Sequence, residues 1–256
     1  MPLQNRVDPF GMIHAVAARG IFTGNRGVIH DPATKTLLKR WTTKAWIICE
    51  CDFRGRRREV MGRNSPSGGA GWTELFFLDE VTALAAGHRP CFYCRRERAV
   101  EFARCFAAGQ GRDAMAAPEM DAVLHQERRA SGRGQDRDEA PPPLTPPRKG
   151  EGDPETSMPG DTSGGKSATP RSPSPLRGGV RGGGIALPSL STLPAGAIVA
   201  ANGRAYAKSN AAWLEWSFQG WLHASEPGAD AVLLTPASTV RALSLGYAPD
   251  WHPSAG

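Results

Sequence analysis

The sequence predicts an α+β fold of small antiparallel β-sheet regions and short helices, stapled by zinc and interrupted by a long disordered insertion. Three observations predict it. Short stretches of alternating apolar and polar residues recur near both ends of the chain, bounded by Gly, Pro and Asn. Four of the cysteines stand in two close pairs, Cys49-Glu50-Cys51 and Cys91-Phe92-Tyr93-Cys94. A stretch near the middle has no Phe, Trp or Tyr yet holds 22 of the 52 Gly and Pro residues, so it cannot supply a core.

Residues 1–30 read as a partly extended lead-in whose glycines suit turns, closed by His30-Asp31-Pro32. Residues 44–53 and 56–61 read as two strands turning at Arg54-Gly55, and 73–78 as a third, with Trp72, Phe76 and Phe77 on a core face. Asp79-Glu80 opens a short helix over 81–86. Gly87 stands where a left-handed cap is needed, and Pro90 prevents continuation. Helical spacing predicts further helices over 95–107 and 118–129. Beyond the middle stretch, 196–200 and 204–208 alternate around Asn202-Gly203, the dipeptide of a type I′ hairpin. Residues 213–218 and 231–234 read as strands, and Ser238-Thr239 caps a helix reaching 245.

The organisation expected is therefore 1–130 carrying the cysteine pairs, a disordered insertion over 131–185, and a β-rich 186–256 that packs with 1–130 as one domain. The insertion carries a further signature. Residues 143–152 and 173–182 can be encoded by complementary strands of one inverted DNA repeat, which implies a palindromic element entering the gene in frame.

Lys and Arg number 31 against 25 Asp and Glu, a formal charge of +6 that permits a polyanionic partner. No apolar run is long enough to span a membrane and the N-terminal residues have no basic region followed by an apolar run of signal-peptide type, so a cytoplasmic protein is expected. In a reducing compartment five cysteines, an odd number, favour a metal over disulfides. Cys105 falls on the apolar spacing of a helix and reads as a buried thiol. Cys91 and Cys94, two residues apart behind Gly87 and Pro90, have the form of a zinc knuckle. Cys49 and Cys51, on one face of an extended strand, would complete four thiolates around Zn²⁺. His88 or His30 could replace a cysteine in a mixed site. Arg54, Arg56, Arg57 and Arg58 follow the first pair, while Arg89, Arg95 and Arg96 surround the second, so phosphates of DNA or RNA could dock there.

These residues leave three functions open. One is a non-catalytic zinc protein binding nucleic acid. Another is an enzyme using a zinc-activated thiolate or an open zinc position, with Asp121, His125 and Glu127 as acid/base candidates against a solvated helix face. The third is a structural zinc domain for a protein partner. No nucleophile elbow, phosphate-binding Gly loop or HExxH motif is present.

The stretch Ala85-Ala86-Gly87-His88-Arg89-Pro90-Cys91-Phe92-Tyr93-Cys94 resembles the metal-binding module of the Ada-type DNA alkylation response proteins. There, a helix ending in Ala-Ala-Gly precedes an aromatic residue, Arg-Pro-Cys, two residues and Cys. The resemblance runs from Glu80 to Arg95, about 16 of the 256 residues. It implies that Cys91 and Cys94 supply two of four zinc thiolates. In that family an upstream thiolate accepts a methyl group from a DNA phosphotriester. The family's upstream Cys-x3-Cys is absent, since this chain has Cys49-x-Cys51, so methyl acceptance does not carry over to either residue.

Overall fold

In a computed structural model, which describes residues 1–55, 57–132 and 189–256, the N-terminal residues are a sheet rather than a lead-in. They supply β1 (Arg6–Val7), β2 (Ile13–His14) and β3 (Phe22–Asn25). Strand β4 (Ile47–Glu50) lies against β3 with Thr23 opposite Cys49, and β5 (Leu75–Phe77) takes the other side of β3 with Thr23 opposite Phe76. The sequence hides β3 because it has four residues and a central glycine. That glycine is required: a Cβ on Gly24 would lie 2.1 Å from the Ile47 carbonyl oxygen.

The hairpin expected from 44–61 does not form among the described residues. Strand β4 ends at Glu50, and 57–61 contains no strand. Its partner beyond β3 is β6 (Arg89–Pro90), which lies parallel to it, with Ile47 opposite Arg89 and Ile48 opposite Pro90. The first sheet runs β2-β1-β5-β3-β4-β6 and is mixed, because β1 and β5 are also parallel. Sequence alternation reports which face of a strand is buried but not its partner, so an antiparallel sheet was the simpler expectation.

Helix α1 (Glu80–Ala85) bridges to the rest of the molecule and is buried at every position. Asp79 caps it by accepting from the Thr82 amide at 2.8 Å, and Gly87 closes it with φ 84°. Helices α2 (Arg96–Gly109) and α3 (Ala117–Ala130) follow. The Asn202-Gly203 turn is left-handed at both residues, φ 50° and 75°, and joins β7 (Ile198–Ala201) to β8 (Arg204–Lys208). With β9 (Trp213–Ser217), β10 (Gly220–Ala224) and β11 (Val232–Leu233) they make an antiparallel sheet ordered β10-β9-β8-β7-β11. Helix α4 (Ala237–Ser244) completes the fold.

One hydrophobic cluster contains Ile48, Phe77, Leu84 and Phe102 together with Val199, Trp213, Leu243 and Tyr247. A second puts Val81 and Ala85 of α1 against Ile198, Ala207, Leu214 and Trp221. Polar contacts join the same two parts: Asp79 accepts from Trp221 Nε1 at 2.6 Å, and Glu127 accepts from the Ser238 amide at 2.9 Å in the first turn of α4. The disordered insertion expected over 131–185 lies outside the described residues, apart from Ser131 and Gly132. Among the described residues no helix is long and apolar enough to cross a membrane.

Candidate metal centre

Alternation along the first sheet sorts its side chains by face. Ile48, Leu75 and Phe77 enter the core, so Cys49 and Phe76 point the other way, with Thr23 between them on β3. Strand β6 then carries the chain beside β4. The Cys91 amide donates to the Ile48 carbonyl at 2.9 Å, which sets Cys91 next to Cys49. The turn that follows brings Cys94 back. The Arg95 amide donates to the Cys91 carbonyl at 3.0 Å, and the Tyr93 amide donates to Cys91 Sγ at 3.4 Å.

The ligand atoms of Cys49, Cys91 and Cys94 all lie within 4.8 Å of one another. Tetrahedral zinc with Zn–S of about 2.3 Å separates its sulfurs by about 3.8 Å, so three thiolates can close on one ion with small side-chain movement. The protons are already unevenly shared. Hydrogen bonds from the Cys49 and Cys94 thiols hold Cys91 down at about 2, and the same contact with Cys91 pushes Cys49 upward. All five cysteines are free, and Cys105 is buried in α2 away from this cluster.

Cys51 does not join the three. The strand that would place it on the Cys49 face ends at Glu50, and the chain bends outward, leaving Cys51 exposed. Although its surface is open to solvent, the residues around it partly desolvate the thiol and, with the Glu50 carboxylate, raise it above its usual value against the weaker pull of Arg6. Neither histidine takes its place. His88 is packed between Trp46 and Phe77, with Arg26 donating to its Nε2 at 3.3 Å, while His30 Nδ1 is 2.7 Å from the Thr73 hydroxyl.

The expected arginines divide by environment. Arg89 is buried and holds Asp121 through two 2.8 Å contacts. Arg95 is buried against Glu80 at 2.9 Å, and it also meets Glu50 at 3.0 Å, tying the end of β4 beneath the knuckle. Both guanidinium groups are spent inside the fold. Arg58 is half-committed, pairing with Glu74 at 2.8 Å and lying over the Trp72 ring. Arg54, Arg57 and Arg96 are exposed, and Arg56 lies outside the described residues. The sequence alone shows these arginines as one cluster, because burial depends on where acids from α1 and α3 arrive.

Asp121, His125 and Glu127 are not a solvated face. Asp121 pairs with Arg89, His125 meets Trp41 edge to face with ring centres 4.8 Å apart, and Glu127 holds the start of α4. None of the three lines the cleft that holds the thiols.

The three cysteines, with Cys51 at the margin, line a cleft of about 760 Å³. Its floor is the outward face of the first sheet: Thr23, Asn25, Ile47 and Phe76. Phe53, Trp72 and Tyr93 also line it, together with Arg57 and Arg58. Trp72 and Phe76, expected on a core face, are not there. The structure shows both half-buried in the cleft, because adjacent Phe76 and Phe77 must take opposite faces of β5.

Fold and site together define an α+β protein with a three-cysteine cluster able to hold a metal ion. Comparison with protein-family models, curated proteins and solved structures finds no match to this chain.

Proposed function

We propose that this chain is a non-catalytic zinc protein that binds nucleic acid. Cys49, Cys91 and Cys94 hold Zn²⁺, and the exposed arginines beside them meet phosphates. One observation carries the reading: three thiols meet in the lining of a cleft that also presents aromatic rings and arginines. Soft thiolates favour zinc over magnesium or calcium, and a reducing compartment keeps them available. The fourth position is left to a group entering through the cleft, since Cys51 stands outside the cluster.

The test begins with zinc per chain, by elemental mass spectrometry on protein purified without an immobilised metal. A single zinc that disappears in Cys91→Ser supports the site, and a wild type without zinc removes it. Binding of zinc-loaded protein to labelled oligonucleotides should weaken as salt rises, with a smaller slope in Arg57→Gln. Tight binding insensitive to salt would contradict the phosphate role.

A second reading, an alkyl-acceptor enzyme of the Ada type, is favoured by the cleft that the thiols line. A thiolate that held zinc could take a methyl carbon from a donor entering there, the C–O bond breaking and the DNA phosphotriester leaving as a phosphodiester. After exposure to DNA carrying methyl phosphotriesters, intact-protein mass spectrometry would then show one added methyl group. No added mass, with binding retained, leaves the non-catalytic reading.

A further inference from the structure

We infer that the cleft beside the three thiols is a stacking site for unpaired nucleobases, so the preferred partner is a single strand rather than a duplex. This rests on the nucleic-acid reading and names the form of nucleic acid recognised.

The side chains around the opening carry the inference. Tyr93 projects from the knuckle with 55 % of its surface exposed, although it follows two residues after a ligand on an otherwise packed turn. Its ring meets Phe53 edge to face at 5.2 Å, and the Arg54 guanidinium lies 5.0 Å from the centre of the Phe53 ring and 5.8 Å from that of Tyr93. Across the cleft Arg58 lies 4.3 Å from the Trp72 ring centre. Rings interleaved with guanidinium groups are what an unpaired strand needs: a flat apolar face for each base and a cation for each phosphate. In a duplex those base faces are covered by neighbouring pairs and cannot lie flat against a ring.

Charge in the cleft also suits an anion. Glu74, the acid at its wall, is occupied by Arg58 Nε and the Met61 amide, each at 2.8 Å, while Glu50 is held by Arg95 at 3.0 Å. With these acids paired, exposed Arg54 and Arg57 leave positive charge at the opening. A volume of about 760 Å³ lies within the range of ligand clefts, roughly 300–1,000 Å³.

The experiment uses the full zinc-loaded chain and a fluorescein-labelled oligothymidylate about a dozen nucleotides long, free or annealed to its complement. Anisotropy should show the single strand bound at least about tenfold more tightly than the duplex. Tyr93→Ala and Phe53→Ala should each weaken single-strand binding roughly tenfold while keeping their zinc. Arg57→Gln should lower the slope of log affinity against log salt by about 0.7. Equal binding of both forms, or aromatic variants that bind like the wild type, overturns the stacking site and leaves the nucleic-acid reading standing. No binding of either form at low salt overturns both.

Discussion

The end of β4 at Glu50 separates Cys49 from Cys51, whereas the pairing of Cys91 with Ile48 and the turn beyond it bring Cys91 and Cys94 to Cys49. Cys49→Ser, Cys91→Ser and Cys94→Ser should therefore each lose most of the bound zinc, whereas Cys51→Ser should retain it, read as metal per chain. Retention in any of the first three would dismantle the cluster as a metal site. Since Cys49 is pushed upward in the metal-free cluster, zinc must displace thiol protons, and its affinity should fall as pH falls. His88 gives a separate pH dependence. Burial, followed by the charges of Arg26 and Arg128, lowers it well below the ordinary imidazole value, so it stays neutral when folded. In the unfolded chain it takes up a proton near pH 6.5. The stability from keeping His88 neutral is thus present above about pH 6.5 and is lost below it, by up to about 1.4 kcal/mol per pH unit. Urea midpoints should fall on acidification, and less steeply in His88→Phe; equal slopes in both proteins would refute the assignment.

At the scale of elements, β3 is the strand on which the site depends, because it holds β4 on one side and β5 on the other. Gly24 allows that approach. Gly24→Ala should destabilise the fold by roughly 1–3 kcal/mol, since the new methyl meets a backbone carbonyl that cannot turn aside. A denaturation midpoint unchanged from wild type would show that the strands can separate more easily than their packing suggests. The helices were legible in the sequence to within a residue or two: Asp79 and Gly87 bracket α1, and apolar spacing marks α2 and α3. The hairpin over 44–61 was not legible in the same way. Its apolar run belongs to a strand paired with β3 and β6, and partner choice depends on residues far along the chain.

Across the whole molecule, Asp79 and Glu80 join the metal side to the C-terminal part. Glu80 accepts from Arg95 at 2.9 Å, from Tyr247 Oη at 2.5 Å and from the Asp250 amide at 2.9 Å. Removing the Glu80 charge leaves buried Arg95 only the more exposed Glu50 and Asp250 as partners, and breaking such a buried pair costs up to about 3–5 kcal/mol. Glu80→Gln should lower stability by an amount of that order and speed amide exchange around 247–250. Normal exchange there would mean the hydrophobic clusters alone hold the segment. Because those clusters draw on residues both before and after the middle stretch, replacing 133–188 by a short Gly/Ser linker should leave zinc content and unfolding midpoint unchanged. Insoluble or metal-free protein would give that stretch a structural role.

By itself the sequence determined the features that local chemistry dictates. The CxxC turn, the capped helix before it, the Asn202-Gly203 hairpin and a buried Cys105 all follow from neighbours a few residues apart. The tertiary structure decided which residues meet across long separations. It paired β4 with β6, left Cys51 outside the thiol cluster, buried Arg89 and Arg95 against acids from α3 and α1, and turned Phe76 into a cleft. The reason is physical: backbone propensity and capping act over one turn of chain, whereas burial and ion pairing are set by whichever distant segment packs alongside.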